Sequence, residues 1–363
     1  MSIAEKVKLP DVAEIAAMLS LRVPADRESL RARAELIMRE HVGDRVYYRG
    51  LIEFSNICAS NCYYCGIRAA NSRVRRYTLS VADIVAAARA CARLGYGSVT
   101  LQSGERRDPA FVDFVCSVVE AVKRETRSAQ LTDGLGITLC VGEQSEAAYR
   151  RMFAAGAHRY LLRIETSNRT LFEQIHPSRQ SFESRVECLA TLKQIGFQLG
   201  TGVMIGLPGQ TVEDLARDIL FFDRIGADMI GMGPYLTHPD APLSAGVGST
   251  DARSRDELLR LTLNMIAATR ILLADVNIAA TTALQAVHPL GREAGLRFGA
   301  NVLMPLATPE HVRADYLLYA GKPCVDEGVD ECSTCLLGRA RSVGREVALN
   351  KWGDSPHATR RSK

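Results

Sequence analysis

From Tyr47 onward, short apolar runs alternate with amphipathic helical stretches about eight times, and few folds accept that order. The candidate strands are Leu51–Phe54, Ser98–Gln102, Gly136–Val141, Arg159–Ile164, Leu199–Ile205, Met229–Met232, Ile278–Ala283 and Ala300–Met304. Helical patterns lie between them. Ser80-Val-Ala-Asp83 is a capping box that opens a helix through Leu94, with Gly95 as its stop. Ser145–Ala155, Phe182–Ile195 and Thr211–Ile225 follow, ended by Gly156, Gly196 and Gly226. Strand–helix alternation builds a parallel sheet covered by helices. Eight units favour a closed (β/α)8, TIM-type barrel over an open sheet. The expected organisation is a helical N-terminal extension over 1–46, the barrel over 47–306, and a loop-rich C-terminal extension over 307–363 that covers one mouth. In the first segment Val12, Ile15, Met18 and Leu19 recur at helical spacing, as do Leu30, Ala34, Ile37 and Met38.

A net charge of +4 with scattered basic residues does not point to nucleic acid. The short tail Arg360-Arg361-Ser362-Lys363 reads as a solvated end. No apolar run is long enough for a bilayer span, and Met1–Pro10 carry no signal-type apolar core. The expected compartment is the cytoplasm, where ten cysteines are metal ligands or core residues rather than disulfides.

The strongest local signal is Cys58-Ala-Ser-Asn-Cys62-Tyr-Tyr-Cys65, directly after the first strand. In a barrel that position is the C-terminal face, where chemistry sits. Three soft thiolates suit an iron–sulfur cluster, and three ligands for four irons leave one iron open to a cofactor. Core cysteines or a zinc knuckle are the plainer readings, but no fourth ligand lies close in sequence. The spacing resembles the signature of the radical S-adenosylmethionine (SAM) superfamily, including the aromatic Tyr64, which in that superfamily lies near the adenine.

Later strand ends carry polar groups suited to such a cofactor. Gln102-Ser103-Gly104-Glu105 offers backbone amides and a carboxylate for the methionine ammonium. Arg163 and Glu165 alternate with Leu162 and Ile164 and share one face, either as lumen ligands or as a structural salt bridge. Arg185 could reach the cofactor carboxylate. The glycines around Met204 and Gly206 let a flat adenine approach the backbone. Thr281 and Thr282 are small hydroxyl donors, and Met304 follows the eighth strand.

Taken together, these segments closely resemble HydE, the radical SAM maturase of FeFe-hydrogenase. The likeness rests on Glu53–Arg68, Leu101–Glu105, Tyr160–Thr166, Gly206–Thr211, Gly233-Pro234 with His238-Pro-Asp240, Ala280–Ala283 and Asn301–Met304, within about Glu53 to Cys335. It implies a complete barrel with an enclosed cavity, a 4Fe–4S cluster, and SAM held by Glu105, Glu165 and Arg185. It implies that Gln102, Ser103, Thr138, Arg163, Met229, Thr281, Thr282 and Met304 surround the substrate. That substrate would be an iron species carrying carbon monoxide, cyanide and cysteine, supplied by a HydG-like partner and passed to a HydF-like scaffold, with a separate electron donor. Two positions depart from the family pattern beside the expected cavity mouth: Arg106 in place of aspartate, and Ile164 in place of histidine.

Cys324-x7-Cys332-Ser-Thr-Cys335 reads as a polar loop suited to a second iron–sulfur cluster, with a zinc site or free thiols as alternatives. Some HydE proteins carry an auxiliary cluster there. Cys91, Cys116, Cys140 and Cys188 read as core residues, and His176 and His238, each before proline, as turn positions. Two other functions compete: a PylB-like methylornithine synthase, which needs a lumen carboxylate beyond Glu105 and Glu165, and a non-catalytic iron–sulfur carrier.

Overall fold

Eight strands pair in sequence, all parallel, and close on themselves. They are β1 (Arg45–Ser55), β2 (Ser98–Ser103), β3 (Gly136–Cys140), β4 (Arg159–Leu161), β5 (Gln198–Ile205), β6 (Met229–Pro234), β7 (Asn277–Ala280) and β8 (Val302–Leu303). The computed structural model describes residues 10–245 and 253–361. The readings placed on Met1–Leu9 and on Ser362-Lys363 lie outside these. Among the described residues, no helix is long and apolar enough to cross a membrane.

The pleat explains the sequence pattern. Val99, Leu101, Ile137, Leu139, Leu199, Val203, Met232 and Ile278 point out and are fully buried beneath the helices. Each such side chain contributes roughly 1.5–3 kcal/mol. The alternate positions Glu53, Gln102, Thr138, Cys140, Arg163 and Met229 line the lumen. Cys140 is therefore only half-buried, as is Cys188 on the helix Phe182–Ile195, unlike the core residues Cys91 and Cys116.

All eight expected strands are present, with shifted ends. β1 begins six residues earlier than its apolar run, because Tyr47 and Tyr48 pair with β8 and close the barrel. Its Arg45 and Val46 also pair with an unforeseen short strand, β9 (Glu346–Val347). β7 stops at Ala280 because Thr281 becomes the N-cap of the helix Thr282–Val287.

The expected lead-in helices are Val12–Ser20 and Pro24–His41. Ile15, Leu19, Leu30 and Ala34 enter the main core. The Asn264 side chain donates to the Leu19 and Leu21 carbonyls at 3.0 Å, pinning the joint between them.

The C-terminal segment was expected over one mouth but crosses both. At the upper mouth Tyr316 Oη accepts from Gln102 Nε2 at 3.3 Å. Lys322 Nζ reaches both oxygens of Glu53, at 2.6 and 2.7 Å, and both side chains of this pair are buried. The chain then descends the barrel wall and plugs the lower mouth. Arg159 donates to the Trp352 carbonyl and to Asp354 Oδ1, both at 2.6 Å. Arg49 and Asn277 hold the Gly353 carbonyl, and Trp352 stacks on His158 at 4.6 Å. Gly97 permits the crossing, since a Cβ there would lie 1.8 Å from the Lys351 carbonyl oxygen. Asp354→Ala should cost about 3 kcal/mol in urea unfolding, because it leaves the fully buried Arg159 uncompensated. A change below about 0.5 kcal/mol would show that this ion pair does not secure the plug.

Candidate active site

The loop after β1 carries Cys58, Cys62 and Cys65 across the upper mouth, and close backbone approach holds it. A Cβ on Gly104 would lie 2.5 Å from the Ile57 carbonyl oxygen and 2.7 Å from Cys58 Cβ. One on Gly66 would meet the Leu317 oxygen at 2.1 Å. Ala59 N donates to the Glu105 carbonyl at 2.7 Å, and Gly66 N to the Leu318 carbonyl at 3.0 Å. Cys58 Sγ accepts from Glu105 N at 3.3 Å, and the Cys62 thiol donates to Gln180 Oε1 at 3.3 Å. Burial pushes all three thiols up, Cys62 to about 12, so metal must displace their protons.

The donor set fits a cluster better than a single ion. Two zinc–sulfur bonds would bring thiolates to ~3.8 Å apart. Among the described residues, three donors converge within 4.8 Å only at Cys324, Glu327 and Cys332. The wider trio at the mouth suits three corners of a 4Fe–4S cube.

Three carboxylates stand at consecutive strand ends. Glu105 follows β2 and accepts from Ser60 Oγ at 3.2 Å, from Arg107 at 2.9 Å and from Glu143 N at 3.0 Å. Glu143 follows β3, is 2% exposed, and meets Arg185 Nε at 2.6 Å, Arg107 Nη2 at 2.9 Å and Ser184 Oγ at 3.0 Å. Burial pushes Glu143 up, but Arg185 outweighs this and holds it below the usual carboxylate range. Glu165 follows β4 at φ +65°, a strained setting for a non-glycine residue. Arg163 grips it bidentately at 2.8 and 2.9 Å.

Sequence reasoning missed Glu143 and Arg107. The signal was available, since Val141-Gly142-Glu143 occupies the same strand-end position as Glu105. Arg185 is thus already paired with Glu143 and with the Arg163 carbonyl, rather than standing free for a cofactor carboxylate.

Tyr64 Oη lies 3.2 Å from His176 Nε2, and His176 Nδ1 lies 2.9 Å from the Phe172 carbonyl. Burial, then the nearby Arg185, lowers His176 to about 3, so a neutral ring donates to Phe172 and accepts from Tyr64. His176 is therefore a positioning residue for Tyr64 as well as a turn residue. Tyr64 and Met204 pack on the small cluster Leu171, Ile175, Leu207 and Tyr235. Gln210 fixes the adjacent turn by accepting from Gly206 N at 2.7 Å and donating to the Met204 carbonyl at 3.0 Å. Apolar side chains and bare backbone here suit a flat base. Ser103 is buried, its hydroxyl donating to the Gly104 carbonyl at 2.8 Å.

The expected substrate residues divide by depth. In the upper lumen lie Gln102, Arg163, Thr281 and the half-buried Met304. Arg163 rests over Gly202 and Gly231 and donates to the Gly231 and Val203 carbonyls, so one of its five N–H groups remains. Deeper lie Met229, whose sulfur accepts from Arg49 at 2.7 Å, and Thr138, whose buried hydroxyl has no hydrogen-bond partner. Thr282 is turned aside, its hydroxyl accepting from Arg292 at 3.1 Å.

Two further expectations change. The lumen holds one more carboxylate, Glu53, but Lys322 and Thr308 occupy it. Neither departure from the family pattern faces the lumen: Ile164 packs into the core, and Arg106 turns outward to pair with Asp108.

Of the C-terminal cysteines, only Cys324 sits in a loop. Cys332 and Cys335 lie on the helix Val329–Ser342, and Cys335 is exposed with Arg339 Nε at 3.4 Å from its sulfur. Glu327 takes the third place beside Cys324 and Cys332. The hydrogen bond from Cys324 lowers the Cys332 thiol to about 7 while raising Cys324.

A closed parallel barrel, three thiols at its upper mouth, and carboxylates with an aromatic pocket behind them define a radical SAM enzyme, which uses a 4Fe–4S cluster and SAM. Residues 52–222 match the model of the Radical SAM superfamily. The chain is 42% identical over 336 residues to the "[FeFe] hydrogenase maturase subunit HydE" of Thermotoga maritima, covering 92% of this chain and 91% of that one. It belongs to the HydE family. Two solved structures share the fold: methylornithine synthase PylB, with TM-score 0.78 and 22% identity over 95% of this chain and 96% of that one, and HydG, with 0.75 and 15% over 92% and 72%.

Two outcomes check the geometry. Gly104→Ala should cut iron at the first site from about four per chain to below one after anaerobic reconstitution, with circular dichroism unchanged. Full loading would refute the tight cradle. At the second site, Glu327→Gln should lower bound metal at least as much as Cys332→Ser, while Cys335→Ser changes it little. The reverse order, read by metal analysis, would restore the three-cysteine reading.

Proposed function

We infer that this enzyme serves FeFe-hydrogenase maturation by acting on an iron species that carries carbon monoxide, cyanide and cysteine. When bound, the cluster and SAM supply a 5′-deoxyadenosyl radical. Cys58, Cys62 and Cys65 would hold the cluster, and Tyr64, Ser103, Gly104, Glu105, Glu165, Arg185, Met204 and Gly206 would surround the cofactor.

The observation that carries the substrate reading is the character of the lumen. Polar donors with capacity left in it include Arg163, with one unused N–H, the second Nε2 hydrogen of Gln102, and, deeper, the unpartnered Thr138 hydroxyl and Arg49 Nε. Its surplus carboxylates, Glu53 and Glu143, are each tied to cations. Such a wall favours an anionic complex and disfavours an ammonium. The plug below and the Lys322–Glu53 contact above narrow both ends of that space, which would limit the entry of water.

This reading gives the chain a HydG-like supplier, a HydF-like acceptor and a cytoplasmic setting. It treats 1–46 and 307–363 as extensions of the barrel, the latter with a second metal site.

Thr138→Val tests it. Reductive cleavage of SAM in the absence of substrate should stay within about twofold. Hydrogenase activation by the full set of maturases should fall about tenfold, a change equivalent to ~1.4 kcal/mol. Stability should hold or rise, because an unsatisfied buried hydroxyl is removed. Unchanged activation would remove Thr138 from the substrate site, and consumption of lysine by the wild type would favour the PylB-like reading.

A further inference from the structure

Cleaving SAM reductively consumes one electron, which arrives from outside the chain. The cluster loop shows where. Ile57 and Ala59, on either side of Cys58, are exposed, with Ile57 37% accessible beside a cluster ligand. From Ser55 to Ala82 the chain carries Arg68, Arg73, Arg75 and Arg76 and no acidic residue.

Two of these arginines have structural duties. Arg76 donates to the carbonyls of Asn56, Ile67, Arg68 and Asn71, and Arg68 holds Asn61 and the Asp240 carbonyl.

Others reach solvent around the exposed tip. Arg75 is adjacent because its carbonyl accepts from Asn56 Nδ2 at 2.8 Å. Arg106 and Arg107 follow Glu105, whose backbone grips Cys58 and Ala59. Arg179 donates to the Ala59 carbonyl.

Pairing does not cancel this charge at the surface, because the partners lie deeper. Arg75 is 67% exposed against 16% for Asp315, and Arg107 is 53% exposed against 11% for Glu105 and 2% for Glu143. Only Arg106 has a comparably exposed partner, Asp108. The residue at position 106 is also the one where the family pattern expects aspartate. The substitution reverses the sign of charge at the rim rather than altering the lumen.

We propose that Ile57–Ala59, ringed by Arg75, Arg106, Arg107 and Arg179, is the docking face for an acidic one-electron carrier protein that reduces the cluster at its Cys58 edge. The carrier loses one electron and the cluster gains it, and no atom is transferred. An acidic rim on the partner complements the arginines, while Ile57 supplies a small apolar centre. A contact this small and charged is weak, fast and sensitive to salt. The proposal rests on the class of enzyme, not on the substrate, so its failure would leave the maturation reading intact.

The test uses the cluster-loaded full chain with a flavodoxin as the acidic probe, under anaerobic conditions. Affinity is read by fluorescence anisotropy at 50 and 300 mM salt, and SAM cleavage is driven either by reduced flavodoxin or by a photoreduced deazaflavin. The triple variant R75E/R106E/R179E keeps Arg107, which belongs to the carboxylate network. It should bind the probe at least tenfold more weakly and lose most of the salt dependence. Flavodoxin-driven cleavage should fall in proportion, while deazaflavin-driven cleavage stays within threefold. Ile57→Asp, with every arginine in place, should weaken probe binding in the same direction. Unchanged affinity in the triple variant, or an equal loss of cleavage with both reductants, would overturn the proposal.

Discussion

Everything at the upper mouth depends on the loop of three thiols lying flat against neighbouring backbone. Two glycines make that contact, Gly104 beneath Cys58 and Gly66 beneath the C-terminal segment. With no side chain between them, the Glu105 amide reaches a cysteine sulfur directly, and the Leu318 carbonyl receives the amide next to Cys65. The Glu105 carboxylate and the closing segment are therefore positioned by the same few residues that present the cysteines. A shift of the loop would move all three.

Around that loop, the carboxylates at the strand ends are each paired with arginine. Glu105, Arg107, Glu143 and Arg185 form one alternating network, and Arg163 with Glu165 forms a second. At the opposite end Arg159 with Asp354 closes the floor. Each pair is costly to bury and costlier to break, so each fixes one arrangement of the strand ends. The bare strand positions Gly202 and Gly231 complete the design by letting Arg163 lie across the lumen wall.

The barrel was legible from the alternation alone, because apolar outward positions recur along the strands and glycine stops follow four of the helices. Strand ends were less so. Tyr47 and Tyr48 read as polar-flanked residues until β8 is seen beside them, and β4 is cut short near the strained Glu165. The three cysteines of the upper mouth stood out by their spacing. Glu143 was hidden because a single acid in a turn looks solvated, yet two arginines distant in sequence fold onto it. The helical setting of Cys335 was not legible, because its spacing from Cys332 suits a metal loop equally well as a helix. The run from Lys351 to Ser355 carries no pattern that announces a plug, since most of its hydrogen bonds to the barrel floor are made by backbone carbonyls and one aspartate, and a lone Trp352 gives no periodicity.

The central claim is that Cys58, Cys62 and Cys65 are the whole protein contribution to a cluster with one iron left for SAM. Anomalous diffraction at the iron edge, from anaerobically reconstituted crystals soaked with SAM, addresses it directly. The account predicts iron density bounded by those three sulfurs, with the fourth iron meeting the cofactor. A side chain of this protein on the fourth iron, or density confined to the Cys324–Cys332 site, would contradict it.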